Sequence, residues 1–282
     1  MTGIDPTIRP MIAADVPQAQ ALTASFGWPH RQEDWALMQA LGWGVVAEWQ
    51  GKLVGTALCW RYGTAWATLG LIGVAPELQG HGIGRRLLHT LMAELKDRNL
   101  VLHATQEGMK LYAAAGFIPT GAVVQHQGIA RLAEPAPLPG GMRLRRAAAP
   151  DRPAIAALDQ VACGMDRAHL LVKLLEESEG VMLDGDGAAA GFALRRRFGR
   201  GQVIGPVVAP GLESAKAMIA SLLDRHAGEF VRIDVPEESG LGAWIATAGL
   251  AEVGTVIRMV RGTDASAPRA VHSFGLASQA FG

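Results

Sequence analysis

The residues best placed to do chemistry in this 282-residue chain lie in one run, Val74-Ala-Pro-Glu-Leu-Gln79-Gly-His-Gly82-Ile-Gly84-Arg-Arg86. A strand-like run precedes it, and Leu87, Leu88, Leu91, Met92 and Leu95 behind it keep helical spacing. A glycine-rich turn between strand and helix lets backbone N–H groups close around an anion, and the helix N-terminus adds the positive end of its dipole. The loop from Gln79 to Arg86 therefore suits a pyrophosphate. It is not the dinucleotide fingerprint, because Arg85 stands where the third glycine belongs, and it lacks the Gly-Lys-Ser/Thr of a P-loop. A second run, Leu111-Tyr112-Ala-Ala-Ala-Gly116-Phe117, follows an intervening strand. A tyrosine hydroxyl, with a pKa of ~10, can protonate a basic leaving group; on a bland reading the same ring only packs its helix on the sheet.

Gln-x-x-Gly-x-Gly after a Val-ended strand, and then a Tyr before Gly-Phe, resembles the GCN5-related N-acetyltransferase (GNAT) family. The motifs cover residues 6–131, and residues 142–262 resemble the family in architecture only. The resemblance implies an α+β fold of two tandem GNAT-like domains, each a mixed, mostly antiparallel sheet flanked by helices. It also implies acetyl-CoA as co-substrate and no metal. Ile72, Gly73 and Val74 would hold the pantetheine arm and acetyl carbonyl. Gln79, Gly80, His81, Gly82, Ile83, Gly84 and Arg85 would bind the pyrophosphate. Tyr112 would protonate the departing CoA thiolate. The family often has Asn at the end of the strand before the Tyr helix; here that position is Thr105, whose hydroxyl could contact the cofactor.

An attacking amine must be neutral, so a base or a water chain is expected. Many family members carry a Glu on the strand before the loop, but Ala67 to Val74 has no ionisable side chain. Candidates lie in Trp28-Pro-His30-Arg31-Gln-Glu33-Asp34-Trp35, in Val123-Val-Gln125-His126-Gln127, and at His103. His30, Asp34 and His126 are the expected substrate-facing residues, although a lone His is more often hydrogen-bonded structure. Arg195, Arg196, Arg197 and Arg200 fall at a strand end and its turn, the pattern of a solvated edge.

The elements that must position these residues occur twice, at a period of ~134 residues. Each half opens with a short strand and an Asp-capped helix, Asp15 in one and Asp151 in the other. Each continues through a hairpin, a strand ending in Val-Ala-Pro, a helix, a strand and a short helix before Ala-Gly-Phe117 or Ala-Gly-Leu250, and a last strand closes each half. The second copy has Val208-Ala-Pro-Gly-Leu-Glu-Ser-Ala-Lys216 at the loop and Ile245 at the tyrosine position, so it reads as degenerate and non-catalytic. The expected division is a catalytic domain at 1–133, a Pro/Gly linker at 134–141, a degenerate domain at 142–262 and a tail at 263–282 that is loose or packs back.

Composition bounds the rest. Hydrophobic residues make up 49% and charged residues 18%, enough for two cores. A net charge of +0 without basic blocks gives no case for nucleic acid or an anionic membrane. Cys59 and Cys163 have no metal or redox spacing and read as reduced thiols. With no leader or spanning segment evident, a cytoplasmic enzyme is expected, as a monomer or homodimer acting on a small-molecule amine. A non-catalytic acyl-CoA sensor and a protein or peptide acceptor are the alternatives.

Overall fold

The computed structural model describes residues 4–133, 136–263 and 269–282. Part of the expected linker, Glu134 and Pro135, and part of the expected tail, 264–268, lie outside the described residues. The first copy runs β1 (Thr7–Pro10), α1 (Val16–Ala24), α2 (Gln32–Leu41), β2 (Trp43–Trp49), β3 (Lys52–Tyr62), β4 (Trp66–Val74), α3 (Ile83–Glu94), β5 (Asn99–Ala104), α4 (Met109–Ala114) and β6 (Ile118–Ile129). The second repeats the order as β7 (Met142–Arg146), α5 (Arg152–Cys163), α6 (Ala168–Glu176), β8 (Ser178–Gly185), β9 (Ala188–Phe198), β10 (Gly201–Ala209), α7 (Leu212–Asp224), β11 (Phe230–Pro236), α8 (Gly242–Thr247) and β12 (Ala251–Arg261). A further strand, β13 (His272–Gly275), follows.

The duplication extends to single ion pairs. Arg9 grips Asp15 through both terminal nitrogens at 2.8 Å and reaches Glu48 through Nε at 3.0 Å. Arg145 does the same with Asp151 at 2.7 Å and Asp184 at 2.8 Å. Each Asp also accepts a backbone N–H three residues back, from Ile12 or Ala148. The two entry turns are thus fixed by one bidentate device used twice.

The copies do not close on their own last strands. Among the described residues the sheet order is β1-β2-β3-β4-β5-β12-β6-β11-β10-β9-β8-β7, with β13 on β10. Strand β12 of the second copy pairs with β5 of the first, Ile257 opposite Ala104. Strand β6 of the first copy pairs with β11 of the second, Phe230 opposite Ile129. The expectation that each half is closed by its own strand is therefore corrected: the last strands are exchanged, and they pair with each other from Ile118–Val260 to Gln127–Ala251. The exchange is favourable because each swapped strand fills the edge of the other copy's sheet, leaving no open edge in the middle of the molecule. Its side chains complete foreign cores. Met259 of β12, 1% exposed, sits in the cluster of Leu87, Leu91, Leu102 and Phe117, and Val124 of β6 sits with Met218, Leu222 and Ile245.

Helices α3, α4, α7 and α8 cover one face of the sheet with two separate cores. The other face carries one core common to both copies, in which Trp35, Met38 and Trp60 meet Ile155, Leu170, Phe192 and Phe198. The end of the chain is built into this core. Phe281 is fully buried with its ring 5.1 Å from that of Trp60, edge to face, and its carbonyl accepts from Tyr62 Oη at 3.0 Å.

Candidate active site

The site begins as a split in the sheet. Strands β4 and β5 pair in parallel from Trp66–Asn99 to Leu69–Leu102 and then part. The cause is local. Leu71 adopts φ 52, a conformation costly for a non-glycine residue, and the pairing of β4 with β3 slips between Thr56 and Leu58. Thr56 Oγ1 donates to Leu71 O at 2.7 Å and pins the bulge. Beyond it β4 turns from β5 and a cavity of about 1220 Å³ opens between them.

The loop Gln79 to Arg86 lies at the mouth of this cavity. Gln79 Nε2 donates to Val74 O at 3.0 Å and ties the loop to the strand end. Gly80 and Gly82 hold φ +81 and +79, conformations that glycine adopts without strain, and Gly82 precedes the first turn of α3. The first-turn N–H groups of α3 have no helical acceptor and face outward with the positive end of the dipole. The expected binding residues Ile72, Gly73, Val74, Gln79, Gly80, His81, Gly82, Ile83, Gly84, Arg85 and Thr105 all line this one cavity.

Tyr112 lines it too, on the far wall. Its ring is 8% exposed and meets Phe117 edge to face. Gly108 gives it room: a Cβ there would come within 2.9 Å of the ring. Burial pushes the phenol up to about 12, so at neutral pH the hydroxyl keeps its proton and can donate it.

A second cavity, about 330 Å³, shares Leu69, Gly70, Leu71, His103 and Thr105 with the first. Its other walls come from the exchanged strands through Gln125 and Gly254, from the second copy through Phe198 and Arg232, and from Gln279 near the end of the chain. His103 stands where the cavities meet. Its Nδ1 lies 2.8 Å from Gln279 O, which fixes Nδ1 as the donor and leaves Nε2 as an acceptor. Burial lowers this ring to about 4, against the pull of the Gln279 carbonyl, so it is neutral at physiological pH.

The three expected substrate residues are not brought together. His30 lines the smaller cavity. Burial, with Arg232 beside it, lowers its pKa to about 4. Asp34 lines neither cavity. Its carboxylate accepts from Arg31 N at 2.8 Å, Arg31 Nη2 at 2.7 Å and Gly199 N at 2.9 Å, so it caps α2 and fastens it to the second copy. Burial alone would raise its pKa, but these donors hold it below the usual carboxylate range. His126 points to the opposite face of the sheet, its Nδ1 3.3 Å from Leu250 O, and its neighbour Gln125 faces the cavity instead. Strand alternation decides this, and the sequence does not say which parity faces the site.

The arginine run also needs correction. Arg197 and Arg200 are exposed, but β9 is an interior strand and Arg196 is only 3% exposed. Burial lowers its pKa to about 10. Arg232 and Gln279 were not anticipated. The charged residues Arg232 and Asp234 alternating within the apolar run Phe230 to Val235 were the available signal for the first; nothing in the sequence marks Gln279.

The comparisons with known proteins agree with this fold. The profile of the acetyltransferase (GNAT) family matches residues 15–117, and an acetyltransferase (GNAT) domain profile matches residues 155–275. An uncharacterized N-acetyltransferase of Bacillus subtilis (strain 168), YitH, is 28% identical over 222 residues, 77% of either chain. A crystal structure from Pyrococcus horikoshii superposes with a TM-score of 0.79 at 20% identity, covering 100% of this chain and 99% of that one. A tandem GNAT protein from the clavulanic acid biosynthesis pathway gives a TM-score of 0.65 at 16% identity, covering 93% of this chain and 100% of that one. Fold and site define an acyltransferase. The chain belongs to the GNAT N-acetyltransferase family, as a member with two GNAT domains in tandem. Among the described residues no group of His, Cys, Asp and Glu is arranged to hold a metal, and no helix is long and apolar enough to cross a membrane.

Proposed function

We propose that the enzyme transfers an acetyl group from acetyl-CoA directly to the primary amine of a small molecule, at one site per chain. The observation that carries this reading is the continuity of the two cavities. A cleft with a glycine-rich loop and a buried phenol meets, at Leu69–Leu71 and His103, a smaller chamber. When bound, acetyl-CoA supplies the activated acetyl thioester. The N–H groups from Gly80 to Arg85 suit its pyrophosphate, and the edge of β4 that turns from β5 at Ile72 and Val74 suits the amides of its arm. Tyr112 holds the proton that the departing thiolate takes up.

His103 Nε2 is the acceptor that would hold the neutral amine at the junction. Glu107 is the one carboxylate on either cavity wall among the described residues, and it is exposed, so proton removal from the amine falls to water. The chamber's volume favours a small amine over a protein or peptide acceptor. The second copy is read as non-catalytic, because it has Ile245 at the tyrosine position and β13 in its cleft.

Thiol release from acetyl-CoA in the presence of an amine panel tests the reading. Transfer to small amines is expected, with Tyr112→Phe lowering kcat while CoA affinity is kept. CoA binding with no transfer to any amine or peptide would instead favour an acyl-CoA sensor.

A further inference from the structure

Arg232 lines the smaller cavity, Arg196 shares the Phe198 ring with it, and acetyl transfer itself uses neither charge. Arg196 on β9 and Arg232 on β11 both register opposite Val203 of β10, on the same face of the sheet. Their guanidinium carbons lie 4.9 and 5.6 Å from the centroid of the Phe198 ring. Arg232 donates from Nε and Nη2 to Asp234, at 3.0 and 2.8 Å from Oδ2, which leaves Nη1 for another partner. Arg196 donates to the carbonyls of Ala277 at 3.1 Å and Arg197 at 3.5 Å, its Nε has no partner, and it forms no ion pair among the described residues. The nearby acids are committed or remote. Asp34 serves Arg31 and Gly199, Asp234 serves Arg232 and Gln279, and Glu177 is exposed. The neutral ring of His30, its Nδ1 also without a partner, completes the wall 5.3 Å from Phe198.

Arg232 is paired with Asp234, and Arg196 beside it has no ion-pair partner among the described residues. A buried cation without a counter-charge is costly, and stacking on Phe198 offsets only part of that cost. We propose that the missing charge arrives with the substrate: the acceptor is an amino carboxylate, whose carboxylate pairs with Arg232 in the field of Arg196. The proposal rests on the acetyl-transfer reading and names its substrate class. The direction of binding follows from the walls. Tyr112 lines only the larger cavity and Arg232 only the smaller, with His103 and Leu71 between them. The amine therefore sits at the junction and the carboxylate at the Phe198 end. One uncompensated positive charge matches a monoanion, whereas a phosphate monoester brings about −1.5 to −2.

The test is a paired panel of amino acids and the same amines lacking the carboxylate, read by thiol release with the intact chain. The wild type is expected to favour the amino carboxylates by about tenfold or more in kcat/KM. In Arg232→Gln the preference collapses, chiefly through KM, while the KM for acetyl-CoA holds. No preference in the wild type would overturn the proposal without any variant, and so would a preference unchanged in a folded Arg232→Gln. Calorimetric titration of the CoA complex with the same amino acids separates the two readings. Arg232-dependent binding without transfer would support the carboxylate site and sink the transferase. Neutral amines transferred in preference would do the reverse.

Discussion

The two copies split their sheets at the same place and treat the gap differently. In the first, β4 and β5 stop pairing after Leu69–Leu102 and the space beyond is open. In the second, β10 and β11 stop after Ile204–Ile233, with the matching irregularity before Val207, but β13 fills the gap. It pairs Gly275 with Val207, Ser273 with Val208 and His272 with Ala209, and Leu276 N donates to Asp234 O at 2.9 Å. The fit is close enough to require glycine at 205, where a Cβ would collide with Leu276 O. One scaffold thus makes an open cleft or a sealed core, depending on whether a peptide already satisfies the strand edges. The same peptide goes on to hold His103 through Gln279 O and Asp234 through the Gln279 amide, so the plug of one cleft furnishes the wall of the other.

That contrast can be broken from either side. The largest effect is expected on stability. Phe281→Ala, which empties a fully buried site under Trp60, should cost about 3–5 kcal/mol by denaturant titration. If the end of the chain is only an accessory to the second copy, the loss will be far smaller. Next, Tyr112→Phe should lower kcat about 100-fold with little change in acetyl-CoA affinity; an unchanged rate would remove the phenol from the chemistry.

A smaller effect should appear with pH. His30 and His103 have folded pKa values near 4, below the unfolded value of about 6.5. The unfolded chain therefore binds more protons in that window, and stability present above pH 6.5 is lost as the pH falls toward 4. The loss should be about 2 kcal/mol for each ring at pH 5, and a His103→Gln variant should show a flatter profile of Tm against pH. Last, Ile245→Tyr should leave CoA stoichiometry at one per chain, because a phenol cannot open a cleft that β13 occupies. Two equivalents bound, measured by calorimetry, would show that side chains alone separate the copies.

Much of this was legible in the residues. The glycine loop, Tyr112 and the repeat are local patterns, and turn chemistry and helical spacing act over a few residues. The residues expected on the cofactor side rest on such local patterns, and all of them lie on one cavity. On the acceptor side only His30 of the three expected residues lines a cavity. Asp34 turned out to be a cap, His126 faces away, and Arg196 is buried where a solvated edge was expected. Those assignments depend on strand parity and on which strand is interior, and neither is a local property.

The sequence by itself determined the family, the two copies, the loop and the loss of that loop from the second copy, because each is written in residue types at short spacing. Only the tertiary structure decided that the closing strands are exchanged, that one cleft is sealed by β13, and that Arg232 and Gln279 share a cavity with His103. Hydrogen-bonded strand edges accept any strand of suitable length, so backbone pairing carries almost no residue-level signature. The partners were chosen by packing: Met259 fits one core and Val124 the other.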